Sequence, residues 1–180
     1  MDEPIYLRAL ETSDLDRLHK WHNDRSLYEM LGGPFRFVSK QATQAWLENK
    51  TAFLSYGSDE IRLAICVKGS DKHIGNISLH QINWIVRQAR LEILIGDPEE
   101  RSKGYGQAAV RQLLSYAFGD LGLRKIYLEA LADNGVAIHL YEKCGFKIEG
   151  RFKNHVFKQG GWKDVIFFGI FADDYAPVKS

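Results

Sequence analysis

One segment, Ile95-Gly96-Asp97-Pro98-Glu99-Glu100-Arg101-Ser102-Lys103-Gly104-Tyr105-Gly106, constrains the fold of this chain more than any other. Upstream of it, residues 61–67, 74–82 and 89–95 are rich in β-branched and large apolar residues and read as strands. Turn-forming residues at Gly69-Ser70-Asp71 and a polar stretch around Arg87-Gln88 separate them, so an antiparallel meander is the economical arrangement. Downstream the period changes. Val110, Leu113, Leu114, Ala117 and Leu121 recur at helical spacing, and Gly122 stops the pattern before a strand at 125–130. A strand, a glycine-rich loop, a helix and a further strand in this order call for a crossover inside an otherwise antiparallel sheet.

The remaining elements fit around that unit. Residues 5–9 form a short strand, and Ser13 three places before Asp16 has the spacing of a capping box for a first helix ending near Asn23. Leu31-Gly32-Gly33-Pro34 breaks the chain. Ser39 then caps a second helix with Ala42, Ala45, Trp46 and Asn49 on one side. Asn134 opens a helix whose apolar side is Ala137, Leu140, Tyr141 and Cys144, and Gly145 ends it as a left-handed cap. Strands at 146–156 and 163–171 close the chain as a hairpin through Gln159-Gly160-Gly161-Trp162. The fold class is α/β in the broad α+β sense: a mixed, mostly antiparallel sheet flanked by helices.

At 180 residues the chain fits a single domain spanning 1–180. Its 24 basic and 23 acidic residues argue against a protein that coats nucleic acid. Cys66 and Cys144 show no zinc spacing and suit a reducing compartment. The N-terminus lacks the apolar core of a signal peptide, and the longest apolar stretch, residues 165–172, is too short to span a bilayer as a helix. The expectation is a cytoplasmic protein without nucleic-acid or membrane partners. His19 and His22 lie one helical turn apart with no third ligand, so no metal site is expected.

Glycines at 104 and 106 let backbone N–H groups converge, and the helix that follows adds its partial positive charge, so the loop suits a phosphate, with Arg101 and Lys103 as supplementary cations. A plain tight turn is the alternative. Gly104-Tyr105-Gly106-Gln107-Ala108-Ala109 also matches the pattern of a dinucleotide fingerprint, with Glu129 as its acid. That reading fails on context, because charged residues separate the strand from the glycines and the chain lacks the second set of parallel strands. No Walker-type Gly-Lys-Ser or Gly-Lys-Thr occurs.

The pattern Arg101-x-x-Gly104-x-Gly106, followed by Asn134-x-x-Ala137-Ile138-x-x-Tyr141-Glu142-Lys143-x-Gly145-Phe146, resembles the GNAT acetyltransferases. The branch it looks most like contains spermidine acetyltransferase and the ribosomal-protein alanine acetyltransferases, and the resemblance covers nearly the whole chain. It implies a V-shaped split in the sheet that holds acetyl-CoA, with backbone groups of Ile93, Leu94 and Ile95 along the pantetheine arm and thioester. The loop residues Arg101, Ser102, Lys103, Gly104, Tyr105 and Gly106 would take the pyrophosphate. Asn134, Ala137 and Lys143 complete the implied cofactor site. Tyr141 is implied as general acid toward the departing sulfur, although its spacing alone equally suits a core tyrosine; Asn134 equally suits a helix cap.

Two positions depart from the family pattern. Ser102 stands where glycine is usual, and Arg90 stands where an acid is common, which leaves Glu92 as the nearest carboxylate and the candidate general base. Between the first two helices only Glu29 is acidic, a poor match for a polycation. The expected acceptor is therefore a primary amine of an amino sugar or similar small molecule, or a peptide N-terminus, ahead of a polyamine. Trp21, Tyr28, Phe35, Phe37, Trp84 and Trp162 would suit such a ligand. A catalytically silent acyl-CoA-binding or regulatory protein is the alternative class, and homo-oligomerisation is an expectation of the resemblance alone.

Overall fold

The computed structural model describes residues 3–51 and 58–175; the first two and last five residues of the expected 1–180 domain lie outside the described residues. One sheet of seven strands runs through them, in the order β1-β2-β3-β4-β5-β7-β6. The strands are β1 (Ile5–Ala9), β2 (Ile61–Val67), β3 (His73–Asn83), β4 (Gln88–Ile95), β5 (Lys125–Leu131), β6 (Lys147–Lys158) and β7 (Gly161–Phe171). The helices are α1 (Leu15–His22), α2 (Arg25–Glu29), α3 (Lys40–Thr51), α4 (Tyr105–Ser115) and α5 (Gly135–Lys143).

The meander β2 to β4 is antiparallel throughout, as the sequence predicts, and β1 adds to its edge antiparallel to β2. The crossover through α4 makes β4 and β5 the one parallel pair, and that pair is short. Only Gln88↔Lys125, Ala89↔Ile126 and Arg90↔Tyr127 face each other in register. Beyond Arg90, β4 continues to Ile95 on β3 while β5 continues to Leu131 on β7, so the sheet splits into a V between them.

Alternation along the strands sends side chains to two separate apolar layers. On one face Ile65, Ile77, Leu91, Ile126 and Phe168 pack with Val110, Leu113 and Leu114 of α4 and with Tyr141 and Cys144 of α5. On the other, Ala64 and Cys66 of β2 meet Leu18 and Trp21 of α1, Leu27 of α2 and Leu47 of α3. Both cysteines are free and buried.

Local chemistry explains where the elements start and stop. The capping box lies two residues upstream of the predicted one: Asp14 accepts from Glu11 N–H at 2.9 Å, because the Asp14 carboxylate is also needed by Arg8 and His73. An extra helix, α2, appears where Asp24 accepts from Ser26 N–H at 2.9 Å and caps it. Ser39 caps α3 as predicted, accepting from Ala42 N–H at 3.1 Å. The buried side of α3 is Thr43 and Leu47, with Trp46 half-buried, while Ala42, Ala45 and Asn49 are exposed. Leu47 meets the α1 layer, and that contact outweighs the small residues on which the predicted face rests. Gly145, at φ +94°, closes α5 with Phe146 N–H donating to Tyr141 O and Gly145 N–H to Glu142 O, a Schellman arrangement. Gln159 and Gly160, both at positive φ, make the two-residue turn between β6 and β7.

Candidate active site

The V between β4 and β5 leaves one edge of β4 without a strand partner. Gly96 N–H donates to Ile74 O at 2.9 Å, toward β3. By alternation the backbone groups of Leu94 share that side, whereas those of Ile93 and Ile95 face the split. Of the three residues predicted to line the acyl arm, Ile93 and Ile95 thus present backbone polar groups there. The Ile95 carbonyl already accepts from Arg101 Nε at 3.1 Å.

The glycine loop closes the wide end of the V. Ser102 at φ +61° and Gly104 at φ +82° both occupy the left-handed region. Gly104 is the N-cap of α4, and no side chain caps that end, so the helix start keeps donor groups available for an anion. A Cβ on Gly106 would stand 3.6 Å from Leu140 Cδ2 and 4.0 Å from Ile93 Cδ1, so the loop, β4 and α5 meet at this point. The two predicted cations are engaged at home. Arg101 folds back on β4, and Lys103 pairs with Glu100 at 2.8 Å. Tyr105 is half-buried in the first turn of α4, packed against the larger apolar layer.

On α5 the predicted residues separate. Asn134 caps the helix, accepting from Ala137 N–H at 3.1 Å, and donates through Nδ2 to Met30 O at 3.0 Å. Its amide is therefore committed at both ends, and it fastens the turn after α2 to the start of α5. Lys143 is exposed on the last turn of α5. Tyr141 is 7% exposed, with its ring against Phe146 and Phe168 at 5.9 and 5.8 Å. Its hydroxyl makes no hydrogen bond among the described residues. Burial leads the causes that push the phenol up to about 12.

Below the point where β4 and β5 part lies a cleft of about 290 Å³. Arg90 and Glu92 of β4 and Glu129, Ala130 and Leu131 of β5 form its sides; Gly32, Gly33, His155, Val156 and Val165 complete it. The pairing Arg90↔Tyr127 puts Glu129 on the same face as Glu92. Glu92 Oε2 lies 3.2 Å from His80 Nε2, and Arg90 Nη2 lies 3.5 Å from Glu92 and 3.6 Å from Glu129. The hydrogen bond from His80 leads the causes that hold the Glu92 carboxyl below its usual range, against the opposing effect of burial. His80 also meets Glu60 at 3.0 Å and Ser78 Oγ at 2.8 Å, which continues a polar chain away from the cleft.

His80, Glu129, Gly32, Gly33 and His155 escape sequence reasoning as site residues. Alternation could have found Glu129 and His80, given the strand register. The aromatic residues expected around the acceptor lie elsewhere. Trp21 packs beneath Gly96, edge-on to His73; Tyr28, Phe35 and Phe37 form their own cluster; Trp162 sits beside the hairpin turn. His19 and His22 both approach Thr43 Oγ1, at 3.4 and 3.5 Å.

Comparison with known proteins agrees with this geometry. Residues 5–147 match the acetyltransferase (GNAT) domain family. The chain is 32% identical over 166 residues to the spermidine N(1)-acetyltransferase of Vibrio cholerae, covering 92% of this chain and 91% of that protein. It is 29% identical over 171 residues to the spermidine N(1)-acetyltransferase of Escherichia coli K12, covering 95% and 88%. The crystal structure of the Vibrio cholerae enzyme in complex with CoA and spermine superposes with a TM-score of 0.86 at 32% identity, over 97% of this chain and 99% of that one.

Proposed function

The chain belongs to the GNAT acetyltransferase family, and from that premise we propose that it moves the acetyl group of acetyl-CoA directly onto the primary amine of an amino sugar or similar small molecule, or of a peptide N-terminus. The observation that carries this reading is the V itself: an unpartnered β4 edge leads from an uncapped, left-handed helix start to a cleft with carboxylates on both sides.

The residues fit the co-substrate. The start of α4 offers a dianion its N–H groups and the helix field, and Ile93 and Ile95 offer backbone groups to the acyl arm. Acetyl-CoA supplies the activated acyl group. The amine, an ammonium at neutral pH, must lose a proton, and Glu92 is the carboxylate placed to receive it. Because His80 holds the Glu92 carboxyl low, Glu92 is suited to orient the ammonium and pass its proton on rather than to store it. Tyr141, with its hydroxyl unengaged, is suited to donate a hydrogen bond to the departing sulfur.

A polyamine is the second reading, favoured by the named relatives and by the pair Glu92 and Glu129. Thiol release from acetyl-CoA with a panel of amino sugars, short peptides, polyamines and aminoglycosides tests both readings. Turnover highest on a sugar amine or peptide end supports the first, and turnover highest on spermidine supports the second. CoA binding without thiol release on any acceptor would overturn both.

A further inference from the structure

We propose that Arg90 selects the acceptor: it makes the cleft take amines that carry an accepting oxygen, a carboxylate or acyl carbonyl, close to the reacting nitrogen, and makes it reject polycations. This rests on the acetyl-transfer reading above and narrows its acceptor class.

Arg90 is the last residue of β4 in register with β5, so its side chain projects where the V opens. Its charge is only partly used. Both of its carboxylate neighbours are approached through the same nitrogen, Nη2, at 3.5 and 3.6 Å, distances of loose ion pairs. It makes no hydrogen bond among the described residues, and its Nε is the one buried side-chain nitrogen or oxygen there without a partner. A guanidinium carries five N–H donors in a fixed fork, and leaving them idle in a half-buried position is costly. Glu92 has His80 as a second partner, whereas Glu129 has only Arg90 among the described residues.

The cleft therefore combines two carboxylates with one resident cation whose donors remain open. Without the arginine, Glu92 and Glu129 would face each other across a space suited to more than one ammonium. With it, a second ammonium of a polyamine meets a fixed like charge. An acceptor with an oxygen beside its amine avoids that clash. The ammonium lies against a carboxylate, and the oxygen accepts from the guanidinium, a charge-assisted pairing. An amino acyl end satisfies both groups at once.

The test is calorimetric titration of the CoA-saturated protein with alanyl-alanine and with spermidine, which reads acceptor preference without requiring turnover. Arg90→Gln is expected to weaken the dipeptide about tenfold and to tighten spermidine about tenfold, reversing their order. Arg90→Lys, which keeps the charge without the fork, is expected to lose the dipeptide while still rejecting spermidine. Lys also guards against a folding defect in the Gln variant. Affinities that move together for both ligands, or that move less than twofold, would overturn the proposal. A wild-type protein that shows the binding preference yet releases no thiol with any acceptor would sink the acetyl-transfer reading and leave the selectivity standing. Turnover with no effect of Arg90 on preference would do the reverse.

Discussion

Replacing Tyr141 by phenylalanine removes one oxygen from a site where no described residue hydrogen-bonds to it. The hydroxyl makes no hydrogen bond among the described residues, and the ring contacts with Phe146 and Phe168 survive the change. The folding cost is therefore expected below about 0.5 kcal/mol, a shift in Tm of less than about 2 °C for a chain of this size. Catalysis should respond differently. With the phenol near 12 and a free thiol near 8.5, complete proton transfer to sulfur runs uphill by about 5 kcal/mol. In the proposed role Tyr141 would therefore act as a hydrogen-bond donor that keeps its proton while charge builds on the leaving group. Loss of one preorganised donor at a developing charge lowers kcat by about 10² to 10³, and a thiolate, already a fair leaving group, belongs at the lower end. We expect kcat to fall about 10²-fold, an acetyl-CoA Kd within about twofold of the parent, and no limb of the pH profile assignable to Tyr141 below about pH 11. Single-turnover thiol release, which isolates chemistry from product release, is the assay. A single-turnover rate within twofold of the parent would refute the assignment and return Tyr141 to a packing role. A collapse of Tm with the rate would show that the hydroxyl supports the fold.

Gly104→Ala places a side chain at φ +82° where a Cβ meets no atom within 4 Å, so its cost is in the backbone and amounts to about 1–2 kcal/mol. If the loop holds pyrophosphate, calorimetry will show acetyl-CoA weakened by about fivefold or more as the N–H groups turn away; an unchanged Kd would remove the loop from the site. Asp14→Ala leaves Arg8 and the buried His73 without the carboxylate that joins them at 2.7 and 2.9 Å, and urea unfolding should record a loss of about 3–5 kcal/mol. A midpoint equal to the parent's would show the network to be incidental. In the parent, burial holds the His73 imidazole below its ordinary value, and for Asp14 the hydrogen bonds from Arg8 and Glu11 outweigh burial and hold the carboxyl below its own. For both groups the unfolded chain binds more protons, so the contribution of His73 is complete above about pH 6.5 and declines below it, and that of Asp14 is complete above about pH 4 and declines only below that. Acid titration of stability should follow that direction, and a protein that gained stability on acidification would contradict it.

What could be read from the chain follows from the range of the forces involved. The β2–β4 meander and the β6–β7 hairpin rest on neighbours a few residues away, so periodicity and turn chemistry place them to within a residue or two, whereas the helical pattern read to Leu121 gives way after Ser115, where α4 ends and Tyr116–Asp120 continue as a π-turn. Spacing alone points to a capping box at Ser13, because it carries no record that Asp14 is claimed by Arg8 and by His73, which lies 59 residues away. The buried side of α3 was misplaced for the same kind of reason. Leu47 is drawn inward by the α1 layer, and no local period records that contact.

The site divides along the same line. The shape of the glycine loop is legible because one stretch of chain makes it from its own backbone, with Ser102 and Gly104 in the left-handed region before the start of α4. The acceptor cleft is not, because it is assembled across the β4–β5 split from residues whose shared face depends on a three-pair register. Glu129 illustrates the point. Its spacing from Gly106 permits the role of acid in a dinucleotide fingerprint. The pairing Arg90↔Tyr127 instead carries it to the side of Glu92, where both carboxylates share a single arginine. The scarcity of acids between the first two helices therefore does not settle which amine is accepted, since the sheet brings two further acids, Glu92 and Glu129, into the cleft. A cleft with two carboxylates and one loosely held guanidinium discriminates by how many charges its ligand brings and where its oxygen lies. That places the choice of amine on Arg90, the residue at which β4 and β5 stop pairing.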